Sequence, residues 1–166
     1  EYDANGKCIH DKNSNGCDWW FEYDSKGNQI HIKDSNGGEQ WYEYDAHGKL
    51  VYSNFSAGYE FWYDYDEQGN QSHEKSSDGS ERWYTYDANG NLIHENYSNG
   101  YEYWYEYDEK GNKIHMKSSL GLEYWYEYDS HGNMIHYKNY AGEKEWQKYI
   151  YVKVNGEDMV EWQLTP

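Results

Sequence analysis

The chain has little proline, cysteine or phenylalanine: one, two and three residues among 166, and the only proline is the last residue. Every residue before Pro166 can therefore donate to a backbone ladder. No apolar run approaches the roughly 20 residues that cross a bilayer as a helix, which excludes a membrane-spanning helix. Cys8 and Cys17 fall at opposite ends of neighbouring predicted strands, so we expect no disulfide between them.

Basic residues are also scarce. Fourteen lysines and arginines face 31 acidic residues, which gives a net charge of −17. This charge repels phosphate backbones and excludes nucleic acid as the natural partner. A basic protein or a cationic ligand is favoured, and carbohydrate stays possible. Because Glu1 is not an initiator methionine and no leader-like stretch follows it, we expect the chain to begin inside a longer parent or after a cleaved leader.

A period of 21 residues occurs seven times in residues 1–147, without insertion or deletion. Tryptophan fills position 20 of every repeat: Trp20, Trp41, Trp62, Trp83, Trp104, Trp125 and Trp146. Tyrosine fills position 2, as in Tyr23, Tyr44, Tyr65, Tyr86, Tyr107 and Tyr128, and an aspartate follows it. Glycine fills position 6, as in Gly27, Gly48, Gly69, Gly90, Gly111 and Gly132, and also position 16. Such regularity predicts a stacked repeat scaffold.

Two glycine turns and two runs rich in tyrosine, tryptophan and isoleucine make each repeat a β-hairpin. The predicted fold class is all-β: tandem antiparallel hairpins that form a continuous, twisted or curled sheet or a superhelical strip. Residues 1–147 hold the seven hairpins, and residues 148–166 form a C-terminal capping hairpin around Asn155-Gly156. Because no equivalent cap is visible at the N-terminal edge, that edge could mediate oligomerisation.

The turns also predict the register. A two-residue loop at Asn36-Gly37 places His31 opposite Tyr42, and pairing Asp24 with Asn28 places His31 opposite Phe21. Histidine, lysine and tyrosine would then share one face, and tryptophan and glutamate the other. We expect the tryptophan face to be the interior of any curl.

Two polar columns are candidates for chemistry. The histidine column is His10, His31, His73, His94, His115 and His136, with Tyr52 in the third repeat. Because equivalent histidines lie two strands apart, roughly 9.5 Å, they cannot share a metal ion, and a structural ladder is favoured. The acidic column is Asp18, Glu39, Glu60, Glu81, Glu102 and Glu123, followed by Lys144. Identical carboxylates in successive repeats offer no unique catalytic pair, so we predict no enzyme, metal or cofactor.

Specificity is expected where the repeats differ. On the face that tyrosine and histidine are expected to share, position 19 varies most. Its residues are the possible binding surface: Trp19, Gln40, Phe61, Arg82, Tyr103 and Tyr124, with Glu145 in the last repeat.

The sequences YDSKGN, YDEQGN, YDANGN, YDEKGN and YDSHGN, each followed by a strand, a glycine turn and an aromatic strand, resemble the RHS or YD repeat. Hairpins of that family coil into shells in bacterial polymorphic toxins, insecticidal toxin complexes and teneurins. The resemblance covers residues 1–147 and implies a non-catalytic scaffold, secreted or on the cell surface, that encloses or presents another polypeptide. The chain departs from the family in having few repeats and no proline- and glycine-rich segment after them.

Two weaker resemblances keep alternatives open. The chain is similar to choline- or glucan-binding cell-wall repeats, which implies aromatic and acidic cages for carbohydrate or choline. It is also similar to MORN-type repeats of toxin-neutralising proteins, which implies an acidic immunity protein in the cytoplasm that covers a basic toxin. We favour a scaffold that binds a polypeptide in a bacterial toxin, adhesin or immunity system.

Overall fold

The computed structural model describes the backbone of residues 1–154 and 157–164 and the side chains of residues 1–146. Every regular element there is a strand: β1 His10–Lys12, β2 Asp18–Tyr23, β3 Gln29–Asp34, β4 Glu39–Tyr44, β5 Leu50–Phe55, β6 Glu60–Tyr65, β7 Gln71–Ser76, β8 Glu81–Tyr86, β9 Leu92–Tyr97, β10 Glu102–Tyr107, β11 Lys113–Ser118, β12 Glu123–Tyr128, β13 Met134–Asn139, β14 Lys144–Val154 and β15 Glu157–Leu164. The all-β prediction is confirmed. Across these ranges the model contains no helix long and apolar enough to cross a membrane.

The chain folds as two compact units, Glu1–Trp83 and Tyr84–Pro166, and the boundary falls inside β8. Within the first unit, each strand from β1 pairs antiparallel with the strand that follows it. Within the second unit, the strands from β9 to β15 do the same. Each unit is thus an open row of hairpins in chain order, as the repeat predicted. The twist and curl of the array stay a prediction.

The last repeat and the terminal hairpin share one strand. Residues 144–146 of β14 pair with β13, and residues 147–154 pair with β15 from Gln147 opposite Leu164 to Val154 opposite Glu157. The predicted terminal hairpin is therefore present in the backbone pairing. Its turn at Asn155-Gly156 lies outside the described residues.

The two turns of a repeat are of one kind, not two. At the first turn, Asp24 N–H donates to Asn28 O at 2.9 Å and Gly27 N–H to Asp24 O at 3.0 Å. At the second turn, Asp34 N–H donates to Gly38 O at 2.8 Å and Gly37 N–H to Asp34 O at 3.2 Å. Both are three-residue loops closed by a left-handed glycine.

The prediction of a two-residue loop at Asn36-Gly37 was therefore wrong. The Asp34 side chain stabilises the longer loop, because its Oδ1 accepts the N–H groups of Asn36 at 2.7 Å and Gly38 at 3.0 Å. This Asx arrangement satisfies the loop amides and needs only the glycine at positive φ. The same loop forms without an Asx side chain at Tyr97, whose N–H donates to Tyr101 O at 2.9 Å.

One extra loop residue shifts the register by one. His31 pairs with Trp41 instead of Tyr42, and Lys33 pairs with Glu39. On its other side, the predicted closure between Asp24 and Asn28 is present, but a bulge after Glu22 places His31 opposite Glu22 instead of Phe21. Histidine and lysine therefore join the tryptophan face, because directly paired residues project from the same side of a sheet.

We call the two sides the tryptophan face, which carries the histidine, lysine, tryptophan and acidic columns, and the tyrosine face, which carries positions 2, 11, 13, 19 and 21 of each repeat. Neither holds a buried hydrophobic side chain among the described residues. Trp41 is 39% exposed, whereas Ser53 on the tyrosine face is 1% exposed. The tyrosine face is thus the more enclosed side, and the assignment of the tryptophan face to the interior of a curl stays a prediction, as the curl itself does.

Tyrosines at position 2 join successive hairpins. The hydroxyl of Tyr44 donates to Gln29 O at 2.9 Å, and that of Tyr65 to Leu50 O at 2.8 Å. Tyr23 and Tyr128 make the same contact with Cys8 O and Lys113 O. Each ring covers the neighbouring hairpin while its hydroxyl satisfies a carbonyl near a turn. Cys8 and Cys17 are both free thiols.

Gly58 tests the requirement for a left-handed residue. Its φ is +88° and a Cβ there would meet no atom within 4 Å, so substitution strains only the backbone. We expect Gly58→Ala to lower the free energy of unfolding by about 1–2 kcal/mol. Gly58→Asn should lower it by less, since asparagine tolerates this conformation. Urea unfolding of both variants measures the difference, and equal effects would contradict the assignment.

Candidate functional site

The tryptophan face repeats one arrangement of four columns. His31 stacks on Trp41 with ring centroids 5.2 Å apart and an interplanar angle of 12°. Its Nε2 lies 3.2 Å from Glu39 Oε2, and the Lys33 ammonium lies 3.2 Å from Glu39 Oε1. Its Nδ1 lies 3.4 Å from Glu22 Oε1. His31 therefore lies on a tryptophan and between two carboxylates, as His73 and His115 also do.

The same stack recurs with centroid distances of 5.3 Å for His10 on Trp20, His73 on Trp83 and His94 on Trp104, and 5.4 Å for His115 on Trp125. The predicted ladder of histidines between tyrosine and phenylalanine rings was therefore wrong in its partner, because the register differs by one residue. In the third repeat, Tyr52 tilts over Trp62 and donates to Glu60 Oε1 at 2.7 Å.

The acidic column is held by these contacts. The Lys12 ammonium, and then the His10 ring, lower the pKa of Asp18 by hydrogen bonding. Lys33 and then His31 lower the pKa of Glu39 in the same way. Lysines are thus bonded to the acidic column in these two repeats. The side chains of the tryptophan face thus form a network in which they satisfy one another's charges and hydrogen-bonding groups.

The tyrosine face differs from repeat to repeat. Position 19 lies between position 11 of its own hairpin and position 13 of the next, and the three residues are directly paired across three strands. Four complete triplets are Asp11, Trp19, Asp34; Ile32, Gln40, Phe55; Ser53, Phe61, Ser76; and Glu95, Tyr103, Ser118. A fifth is Met116, Tyr124, Asn139. Variable residues therefore gather on one face.

Position 19 was expected on a face shared by tyrosine and histidine. The structure places it with tyrosine and opposite to histidine, for the same reason of register. Arg82, the fourth member of the column, is exposed and pairs with Glu74. The sequence reasoning missed positions 11 and 13 as neighbours of position 19, although a comparison of the seven repeats shows both to vary as widely.

A half-buried carboxylate marks this face in the second unit. Glu95 Oε2 accepts from the Tyr97 hydroxyl at 2.7 Å, and Glu95 Oε1 accepts from the Tyr105 hydroxyl at 3.1 Å. The Lys113 ammonium lies 5.5 Å from the ring centroids of both Tyr105 and Tyr126. These tyrosine rings thus already accommodate a cation.

Burial raises the pKa of tyrosines on this face, as for Tyr42 and Tyr126. The pKa of Tyr105 is raised furthest, first by burial and then by the Glu95 carboxylate beside its hydroxyl. The phenols are therefore held in their neutral, hydrogen-bonding form.

A shallow groove of about 380 Å³ lies on the tryptophan face of the second unit, lined by Trp104, Glu106, His115 and Lys117. Its volume is at the small end of the range for ligand sites. His94 stacks on Trp104 at 5.3 Å, so one face of that ring is already occupied.

Residues 65–102 match the family model described as RHS Repeat. The resemblance to RHS or YD repeats is confirmed there. No curated protein matches the chain by sequence.

Solved structures with a similar fold include the Photorhabdus luminescens Tc holotoxin pore, at 17% identity and a TM-score of 0.72 over 96% of this chain and 10% of that chain. The TcdB2-TccC3 crystal structure is 17% identical, with a TM-score of 0.66 over 82% of this chain and 9% of that one. The complex of TcdB2-TccC3 with Cdc42 is 21% identical, with a TM-score of 0.64 over 75% and 7%. The chain thus spans a tenth or less of these relatives, and the likeness shows the fold.

We expect stability to fall as the pH rises above the ordinary tyrosine pKa of about 10. The folded-state pKa values are raised, so the stability that these phenols contribute is full below that pH and is lost as the pH rises through the folded values. Tyr105→Phe should make this loss shallower, whereas Tyr59→Phe, at an exposed ring, should not. Urea unfolding between pH 8 and pH 12 measures both, and equal pH dependence in the two variants would contradict the role of Tyr105.

Proposed function

We propose that the chain is a non-catalytic repeat scaffold that binds or encloses a polypeptide partner through its tyrosine face. The observation that carries the proposal is the separation of constant and variable residues between the two faces. The tryptophan face repeats the same internal contacts, whereas positions 11, 13 and 19 bring a different triplet to the tyrosine face in each repeat. Repeat proteins carry specificity in such variable positions on a constant frame.

The chemistry of the tyrosine face suits a polypeptide. Tyrosine gives a large contact area with few rotatable bonds and a hydroxyl that can donate or accept, which is why it is enriched in protein interfaces. With a net charge of −17, the chain favours a basic partner. Glu95 and the rings of Tyr97 and Tyr105 offer a binding site for a lysine or arginine of that partner.

The comparisons support the setting. The RHS Repeat match and the fold shared with chains of TcdB2-TccC3 and of a Tc holotoxin favour a part of a bacterial toxin system, secreted or on the cell surface. Because this chain covers only 9% and 10% of those chains, enclosure of a whole partner would need more repeats than these seven. An acidic immunity protein that neutralises a basic toxin in the cytoplasm is the alternative that the same charge supports.

The arrangement of the carboxylates supports a non-catalytic role. A hydrolase needs one pair of acidic groups with different environments. Here the acidic column meets a histidine or tyrosine donor in six successive repeats, so no repeat sets a pair apart.

Neighbouring residues on opposite faces allow a matched test. Tyr103 belongs to the variable triplets, and Trp104, next in sequence, belongs to the tryptophan face. The whole chain is immobilised, a bound basic polypeptide is purified from the source cells, and its affinity for each variant is measured by calorimetry. We expect Tyr103→Ala to weaken binding by about tenfold or more, as at interface hot spots.

Trp104→Phe, which keeps an aromatic ring on the histidine, should change the affinity by less than about threefold. A larger loss from Trp104→Phe than from Tyr103→Ala would place the partner on the wrong face and contradict the proposal.

A carbohydrate- or choline-binding module is the second candidate, because the groove beside Trp104 exposes an indole next to Glu106. Titration with choline or a glucan oligomer should then quench tryptophan fluorescence. The stacking of His94 leaves only one face of the Trp104 indole open, whereas an aromatic cage surrounds a cation with several rings. We therefore expect no change in fluorescence at about millimolar ligand, a weak-binding limit of roughly −4 kcal/mol. Saturable quenching would favour the carbohydrate or choline reading over the scaffold.

A further inference from the structure

In six repeats, the acidic residue of the tryptophan face makes the same side-chain contact. In each, the carboxylate accepts from the position-10 side chain of the preceding strand, which lies diagonally across from it and is directly paired with the tryptophan. The distances are 3.0 Å for His10 and Asp18, 3.2 Å for His31 and Glu39, 2.7 Å for Tyr52 and Glu60, 3.0 Å for His73 and Glu81, 2.9 Å for His94 and Glu102, and 3.0 Å for His115 and Glu123. These six repeats therefore show the contact that the acidic residue normally makes with the position-10 side chain.

In the seventh repeat the carboxylate is missing, because Lys144 stands where the other repeats have an acid. His136 Nδ1 still meets Glu127 Oε1 at 3.0 Å. Its Nε2, which faces the acid in five other repeats, is buried and has no hydrogen-bond partner among the side chains that the structure describes. His136 is only 9% exposed, so water does not freely replace the lost partner.

The lysine column shows the same deficit independently. In the first, second and fourth repeats, lysine at position 12 is paired with the acid: Lys12 with Asp18, Lys33 with Glu39 and Lys75 with Glu81. In the seventh repeat, Lys138 is directly paired with Lys144. Like charges that face each other across two strands destabilise the pair. The Lys138 ammonium lies 4.7 Å from the centroid of the Trp125 ring on the preceding strand, and the residue opposite it on the following strand is not acidic. The unpartnered imidazole nitrogen and the two directly paired lysines both favour an anion at this place.

We propose that His136, Lys138 and Lys144 form a binding site for a carboxylate supplied from outside the chain. The ligand would accept from His136 Nε2 and lie between the two ammonium groups, as Asp18 lies between His10 and Lys12. The site is independent of the tyrosine face and of the partner proposed for it. Its carboxylate could come from an acidic side chain of another polypeptide or from a small free acid.

The position of Trp146 agrees with the lack of a carboxylate beside His136. Its ring lies 3.8 Å from that of His136, whereas the other histidine and tryptophan pairs are separated by 5.2 to 5.4 Å. In those pairs the carboxylate lies at the edge of the stack and holds the histidine. A bound carboxylate should therefore move Trp146 toward the wider spacing.

Lys144→Glu is the decisive variant, because it supplies the missing carboxylate from within the chain. We expect it to raise the midpoint of thermal unfolding by roughly 2–4 °C, the shift of a single added interaction in a chain of this length. Lys144→Ala, which removes the facing charge without adding an acceptor, should raise the midpoint by less. An equal or lower midpoint in Lys144→Glu than in Lys144→Ala would overturn the proposal.

Binding is measured on the full chain by NMR of the His136 imidazole, whose signals are assigned by their absence in His136→Gln. Sodium acetate and a blocked glycyl-glutamyl-glycine peptide are the probes, and sodium chloride of equal ionic strength is the control. The signals should shift saturably with a carboxylate, stay unshifted with chloride, and not respond in Lys144→Glu. His31, whose Nε2 is already bonded to Glu39, is the internal control.

The two probes separate the sources of the ligand. Saturation by the peptide at about tenfold lower concentration than acetate would assign the site to an acidic side chain of a polypeptide. Equal saturation would assign it to small free carboxylates. A response no larger than that to chloride, or an identical response in Lys144→Glu, would overturn the site.

Discussion

The three-residue turn closed by a left-handed glycine is the constraint on which the rest of this structure depends. Both turns of each hairpin have it, so every strand is set against its neighbour in one fixed register. A loop shorter by one residue would move each histidine from a tryptophan to a tyrosine. The separation of a constant face from a variable face is therefore decided by loop length, which is the same at turns with an Asx side chain, such as Asp34, and without one, such as Phe55.

Given this register, the sheet is stabilised without a conventional core. No hydrophobic side chain is buried in the described residues, and Ser53 and Ser118 are among the few side chains that are. Aromatic rings take the place of a second layer, since each covers a neighbouring strand and leaves one edge for water or a partner. Hydroxyls such as that of Tyr65 and imidazoles such as that of His31 satisfy polar groups on adjacent strands. A sheet of this kind can stay half-exposed on both sides, which a partner-binding scaffold requires.

The sequence predicted the hairpins and the glycine turns because these depend on local chemistry repeated seven times, and the terminal hairpin because strand residues flank a turn there. It failed at Asn36-Gly37, where residues that commonly form a two-residue turn belong to a three-residue loop, as they do at Asn99-Gly100. That single miss moved His31 to the wrong ring and assigned position 19 to a mixed face. The grouping of positions 11, 13 and 19 could not be derived from the sequence until the register was known, although their variation was visible in it.

Because the repeats are built alike, a repeat that differs in sequence can be compared directly with the others. In the third repeat the histidine is replaced by Tyr52 and the lysine by Asn54, yet both still donate to Glu60. The replacement is compensated, so the network is kept and no ligand is needed. In the seventh repeat Lys144 replaces the acid while His136 and Lys138 remain. The Lys138 ammonium lies over the Trp125 ring, but no described side chain accepts from His136 Nε2. In each of the other six repeats, a carboxylate contacts the side chain that corresponds to His136. A carboxylate is therefore the partner that the seventh repeat lacks.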